Sequence, residues 1–419
     1  MTSIPRIDRP IRLAYLVSHP IQYQVPLLRR IAREPGIDLT VFFGSDLSVR
    51  GYKDEGFGVE VKWDIPLLDG YKYEFLPALR DTNTEGTFSP ISYGLSARLA
   101  GRAGEGNAGG NAQFDALWVH GYATANQMHG IVAANALGIP VIVRAESWLS
   151  DRPRSGLKLA GKRAYFHALK HLIDAVLVTG TPNREYWQYY LGDDFPMFAM
   201  PYAVDNEWFQ QQAAQAAGER AEMQARYQLE PGRPVILFAS KLQTRKHCDD
   251  LISAYARLSP GAGVEPQPYL LIVGDGEERA ALEQQARATG FAGIRFAGFG
   301  NQTEMPRFFD LASVFVLPSR HEPWGLIVNE VMNAGRAAIV SSDVGCAADL
   351  IRDGVEGFVY PVRDVEALAG ALRRVLETPE AAAEMGARAR ERINQWGFDQ
   401  DIDGLRQALA QVTGGRRTG

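Results

Sequence analysis

Two carboxylates, Glu322 and Glu330, stand eight residues apart in the run Pro318-Ser-Arg-His-Glu-Pro-Trp-Gly-Leu-Ile-Val-Asn-Glu-Val-Met-Asn-Ala-Gly335. Carboxylate oxygens accept charge-assisted hydrogen bonds, which suits them to hydroxyl-rich ligands such as sugars. Between them, Pro323-Trp324-Gly325 predicts a turn and Leu326 the opening of a helix. The free amides and positive end of such a helix attract an anion, and a diphosphate fits there. A second segment, Ser240-Lys-Leu-Gln-Thr-Arg-Lys-His247, gathers Lys241, Arg245 and Lys246, cations that can neutralise a departing diphosphate. Taken singly, the carboxylates read as a solvated helix face and the cations as a surface cluster. Their common context favours a ligand site. A third segment, Val273-Gly-Asp-Gly-Glu-Glu-Arg279, is a glycine turn that says little alone.

These residues need a framework that brings loop ends together. Short β-branched runs alternate with helical patterns in both halves of the chain, the signature of βαβ units and parallel sheets covered on both faces. Ile11–Val17, Leu39–Phe43, Ala116–His120, Val141–Arg144 and Ala175–Thr179 read as strands of a first series. Val235–Ala239, Tyr269–Val273, Ile294–Phe296, Val314–Leu317 and Ala337–Ser341 form a second, interleaved with amphipathic segments such as Asp249–Leu258 and Glu277–Ala288. The restart predicts two sheets, with a hinge in the turn-forming Met200–Asp205. Each chemistry-bearing segment follows a strand, at the edge where open α/β sheets collect ligands. Glu146 lies at such an edge in the first half and is a candidate acceptor contact. Trp396–Val412 reads as a final amphipathic helix, and Gly101–Ala112 as a surface loop without assigned function.

The chain has 419 residues, too many for one hydrophobic core, with 44 Lys and Arg against 49 Asp and Glu. That mildly acidic balance gives no footprint of a nucleic-acid binder. Cys248 and Cys346 cannot make a disulfide framework and suit a reducing compartment. The polar, proline-interrupted start and the lack of any long apolar run imply a cytoplasmic protein without a membrane span. Arg152–Lys170 is basic with interleaved Leu157, Leu159, Tyr165, Phe166 and Leu169. It reads equally as a patch lying on an anionic membrane or as a helix with a basic face packed on the first sheet. His129, His167 and His171 carry no assignment.

Together the second-half segments resemble the GT-B glycosyltransferases of family 4, whose second domain carries a Gly-Arg-Leu-x-x-x-Lys loop, a Val-Gly-x-Gly turn and a Glu-x7-Glu element. The resemblance spans Val235–Leu368 and continues through Ser341–Gly345, Gly354–Phe358 and Pro361–Leu368. It implies an α/β chain of two Rossmann-like domains with parallel sheets facing across a cleft. The acceptor domain would be 1–203, the nucleotide-sugar domain 204–393, and 394–419 a helix returning to the first domain. It further implies a retaining transferase, with Glu330 on the ribose, Glu322 on the donor sugar, Gly325 and Leu326 amides on the diphosphate, and Lys241 and Lys246 on the phosphates. By the same resemblance His120 faces the reaction centre, and His19, Gln22 and Tyr23 belong to the acceptor pocket. The partners implied are a nucleotide-diphosphate sugar and a saccharide or lipid-linked saccharide, as in polysaccharide or lipopolysaccharide synthesis. No cofactor or metal is expected, and 204–393 contains no Asp-x-Asp pair. Three positions depart from the pattern: Lys241 for arginine, His247 for glycine, and Gly345-Cys-Ala-Ala-Asp349 for Gly-Gly-x-x-Glu. The alternatives are a sugar-nucleotide epimerase, a phosphorylase, or a non-catalytic sugar-binding subunit.

Overall fold

The computed structural model describes residues 9–53, 60–61, 63–80, 86–101, 113–150, 156–258, 264 and 266–414. The loop beyond Gly101, Arg152, Arg154 and the tail beyond Gly414 lie outside them. In the first series, strands β1 (Ile11–Val17), β2 (Ile37–Phe43), β3 (Lys72–Phe75), β4 (Ala116–His120), β5 (Val141–Arg144), β6 (Ala175–Val178) and β7 (Met197–Ala199) form one parallel sheet, ordered β7-β6-β5-β4-β1-β2-β3. In the second, β8 (Val235–Ala239), β9 (Tyr269–Val273), β10 (Ile294–Gly298), β11 (Val314–Leu317), β12 (Ala337–Ser341) and β13 (Gly357–Tyr360) form another, ordered β10-β9-β8-β11-β12-β13. Central strands such as β8 and β11 are buried at every residue, as helices on both faces require.

The sequence reading finds ten of these strands and misses β3, β7 and β13. All three are edge strands, with a single neighbour each. Lys72 and Glu74 in β3 are the charges an exposed edge accepts, and β7 has only three residues. Strand ends shift slightly: β2 begins at Ile37, β6 stops at Val178 and β10 runs to Gly298.

Helices fill both faces of each sheet. Those that matter below are α1 (Val25–Ala32), α2 (Ala125–Ala136), α3 (Gly156–Leu169), α4 (Thr181–Leu191), α5 (Asn206–Ala216), α6 (Cys248–Ala256), α7 (Ile327–Asn333), α8 (Pro379–Ile393) and α9 (Phe398–Gly414). After β7 the chain passes through Met200–Asp205 into the second domain, where the Asp205 carboxylate caps α5 by accepting from the Trp208 amide at 3.0 Å. It then returns: α9 buries Ile402, Leu405, Ala408 and Leu409 against Leu13, Tyr15, Trp118 and Ile142 of the first sheet.

Strand order reverses between β1 and β4 in the first sheet and between β8 and β11 in the second. The loops leaving those strands open a crevice at their C-terminal ends, and the two crevices face one another. The Gln22 amide reaches Gln302, Thr303 reaches the Asp64 carboxylate, and Nδ1 of His321 lies 3.0 Å from the Ser150 carbonyl.

Candidate functional site

On the second-domain wall, Lys246 and Arg245 both approach one carboxylate oxygen of Glu322; Arg245 donates at 3.2 Å and the Lys246 ammonium more closely. Lys246 and Glu322 are buried. Burial, more than the neighbouring Arg245 and Lys241, pulls the Lys246 ammonium below its usual range, while Glu322 opposes that. The two loops are also joined by the Arg320 amide, which donates to the Arg245 carbonyl at 2.7 Å. Two cations, Arg245 and Lys246, therefore converge on one carboxylate at the ends of β8 and β11, with Lys241 near enough to bear on the Lys246 charge.

The position after Lys246, where the resembled pattern has glycine, is held by His247 at φ 48. The left-handed conformation is retained without glycine, and His247 is anchored by Arg363 Nη1 at 2.6 Å from its Nδ1. The glycine turn after β9 supports this loop from behind: the Leu242 amide donates to the Asp275 carbonyl at 2.9 Å.

The turn after Glu322 needs glycine at 325, where φ is 89 and a Cβ would sit 2.9 Å from both Leu317 and Val344. The amides of Gly325 and Leu326 donate to no described protein group and remain available for a ligand. Helix α7 is only seven residues long, so an anion at this turn would be met by these amides rather than by a long helix dipole. The carboxylate of Glu330, one turn further on, has no hydrogen-bond or ionic partner among the described residues. Burial alone pushes its carboxyl up to about 8. It lines a cavity of about 520 Å³ together with Tyr23, Arg33, Val204, Trp208 and Gln302, drawn from both domains.

The first-domain wall is a hydrogen-bonded cluster around His120. Glu146 Oε1 is 3.6 Å from its Nε2, and the Tyr23 hydroxyl donates to the same Glu146 oxygen at 2.9 Å. Gln24, buried and accepting from the Tyr15 hydroxyl at 2.7 Å, places its Nε2 3.2 Å from Nδ1 and 3.1 Å from Nε2 of His120. Burial, helped by Glu146, holds the Tyr23 and Tyr202 phenols well above their usual range, so both stay protonated donors. The expected acceptor residues thus separate. Tyr23 and Glu146 join His120; Gln22 spans the cleft to Gln302; and the ring of His19 turns to its neighbour Ser18, with Nδ1 3.0 Å from Oγ. Gln24 and Tyr202 escaped the sequence reading. Gln24 follows Tyr23 directly, but only the fold shows it under the His120 ring.

The basic stretch is partly committed to packing. Lys162 lies over the rings of Tyr186 and Tyr190, and Arg163 over Tyr189. The Lys170 ammonium donates to the Leu191 carbonyl at 2.6 Å. Leu157 and Lys158 project into solvent.

Two facing Rossmann-like sheets with a returning C-terminal helix define the GT-B architecture, and solved structures share it across the whole chain. Anabaena Alr3699/HepE in complex with UDP and glucose aligns with a TM-score of 0.67 at 16% identity, covering 96% of this chain and 99% of that one. Sucrose-phosphate synthase from Thermosynechococcus elongatus aligns with a TM-score of 0.66 at 19% identity, covering 97% and 100%. Residues 219–392 match the family described as glycosyl transferases group 1. Among named relatives, an alpha-D-kanosaminyltransferase of Streptomyces kanamyceticus is 28% identical over 60% of this chain and 65% of its own length. A glycogen synthase of Mycobacterium tuberculosis is 34% identical over 43% of this chain and 42% of its own. The chain therefore spans less than two thirds of the length of these relatives. Among the described residues no helix is long and apolar enough to cross a membrane.

Proposed function

We propose that this protein is a glycosyltransferase that moves a sugar from a nucleoside-diphosphate donor to an acceptor hydroxyl, with retention, in the manner of family 4. The observation that carries the reading is the convergence of Lys246 and Arg245 on Glu322, beside the free amides of Gly325 and Leu326 and the unpaired carboxylate of Glu330. That wall matches a nucleoside diphosphate sugar part by part: Glu330 for the ribose diol, the amides, Lys241 and Lys246 for the diphosphate, Glu322 for the sugar. Charge on the departing diphosphate grows toward the transition state, and cations fixed at the end of β8 stabilise it there without a metal ion. From the opposite wall His120, held by Gln24 and Glu146, faces the donor sugar, and Tyr23 and Glu146 contact the acceptor.

The glycosyltransferase names of the relatives and the UDP and glucose bound by one structural neighbour support this reading and make UDP-glucose the first donor to try. The test is a thermal-shift screen of UDP-, GDP- and ADP-sugars, followed by transfer assays in excess EDTA. One nucleotide sugar should raise the unfolding midpoint, because it binds only the folded chain, and transfer should persist in EDTA. Loss of transfer in EDTA with recovery in manganese would refute the metal-independent mechanism; no stabilisation by any nucleotide sugar would refute the donor site. For placement in the cell, we propose a cytoplasmic enzyme touching the anionic membrane face through Arg152–Lys170. Exposed Leu157 and Lys158 support this, and failure to co-sediment with anionic vesicles would sink it.

A further inference from the structure

Helix α4 belongs to the first domain, yet its N-terminus is capped from the second. The Asp349 carboxylate accepts the Thr181 amide at 2.9 Å and the Thr181 hydroxyl at 2.6 Å. Beside this contact, Gly180 lies so close to Trp324 that a Cβ there would meet its ring at 2.4 Å. Trp324 lies between Glu322 and Gly325, next to Pro323. The segment that carries Asp349 is fastened to the same turn: the Gly345 amide donates to the Glu322 carbonyl at 2.9 Å, and the Cys346 amide to the Trp324 carbonyl at 2.9 Å. On its other side the Asp349 carbonyl accepts the Arg392 guanidinium of α8, with Nε at 3.0 Å. Trp324 is held in turn by Asn329, which accepts its indole N–H at 2.9 Å, and by a stacked Trp396, 5.6 Å between centroids. A continuous path therefore runs from a first-domain helix, through Asp349 and Gly345-Cys346, to the backbone of Glu322–Leu326.

We propose that Asp349 is a positioning residue that couples closure of the two domains to the geometry of the Glu322–Leu326 turn. With the domains clasped, the carboxylate completes the cap of α4 and Gly180 presses on Trp324, so the turn presents its amides and Glu322 in register. With the domains apart, the cap is lost and Trp324 loses its first-domain support. Bond chemistry at the sugar would then be permitted only in the clasped form. The idea rests on the reading of this turn as the donor site, and the test separates the two.

The decisive substitution lies in the first domain and the readout in the second. In the full chain, Thr181→Val removes the hydroxyl donor while keeping the fold, and Thr181→Ser retains it. Backbone amide exchange is followed by mass spectrometry at the bonded amides that join the two segments, those of Glu322, Gly345 and Cys346, without ligand. Thr181→Val should speed exchange there by about threefold and Asp349→Ala by about tenfold, the scale of one and two lost hydrogen bonds; Thr181→Ser should match the parent. In transfer assays Thr181→Val should lower kcat with little change in donor KM, and Thr181→Ser should restore it. If Thr181→Val quickens exchange only within α4 and leaves the Glu322, Gly345 and Cys346 amides unchanged, Asp349 is a helix cap and the coupling is refuted. If the turn loosens as stated but no nucleotide sugar ever protects it from exchange, the coupling stands and the donor-site reading falls.

Discussion

Glu330 keeps its carboxyl on the cleft wall with no ionic partner among the described residues, and burial pushes it up to about 8. In the proposed donor site the ionised form would accept two ribose hydroxyls, whereas the protonated form would give up one acceptor site. Donor affinity, measured by calorimetry, should therefore strengthen as pH rises from 6.5 to about 8.5. Glu330→Gln should bind more weakly and show a flat profile; the same pH slope in that variant would assign the titration elsewhere. The role proposed for Lys246 differs, because the diphosphate charge it would answer is largest in the transition state. Lys246→Ala should lower kcat about a hundredfold with a smaller change in donor KM. A loss confined to KM would show that Lys246 only binds. That Lys246 and Glu330 lie in segments following parallel strands was legible from residue types and their order along the chain. Gln24 and Tyr202 were not, since nothing local in the sequence signals which side chain supports His120 from below. Asp349 was visible only as a departure from the resembled Gly-Gly-x-x-Glu pattern, because its partner lies 168 residues away.

At the scale of elements, the returning helix α9 carries an ionisable anomaly. Asp401 is fully buried against the first sheet, and neither of its oxygens has a hydrogen-bond partner among the described residues. Burial raises its carboxyl from 3.8 to about 8, and Arg144 only partly offsets this. Because the folded value lies above the unfolded one, the unfolded chain loses this proton first as pH rises. Its contribution to stability is thus present below about pH 4 and declines toward pH 8. Asp401→Asn, neutral at every pH, should gain on the parent as pH rises, with midpoints nearest at pH 4 and further apart by about 3 °C or more at pH 8. An equal gap at both values would mean that Asp401 is ionised throughout. The strands were legible where burial on both faces demands an unbroken apolar run, as in β8 and β11. The edge strands β3, β7 and β13 were not, because an edge tolerates charge, shortness and a leading glycine. The final helix was legible from its amphipathic period, and its apolar stripe is what seats it on the first sheet.

For the whole molecule, the first domain depends on chain that follows the second. Ile402, Leu405 and Leu409 each bury a full apolar side chain, about 1.5–3 kcal/mol apiece, so their combined loss rivals the stability of an ordinary domain. A chain stopped after Trp396 should aggregate or lose cooperative melting in its first domain. A soluble truncation with the parent's melting profile would show that α9 is dispensable to the fold. The two-sheet architecture itself was legible, since the strand series visibly restarts after the hinge. How the domains meet was not: the contacts of Gln22 with Gln302, Asp64 with Thr303 and Ser150 with His321 join residues whose local surroundings give no sign of one another.

The same return path sets an order of manufacture. A ribosome releases Met200 about 200 residues before Ile402, and at 5–20 residues per second that interval is roughly 10–40 s. Throughout it, Leu13, Tyr15, Trp118 and Ile142 present an uncovered apolar face, while the downstream sheet can already assemble. The domain begun first is finished last, and during that wait the nascent chain offers chaperones a defined target.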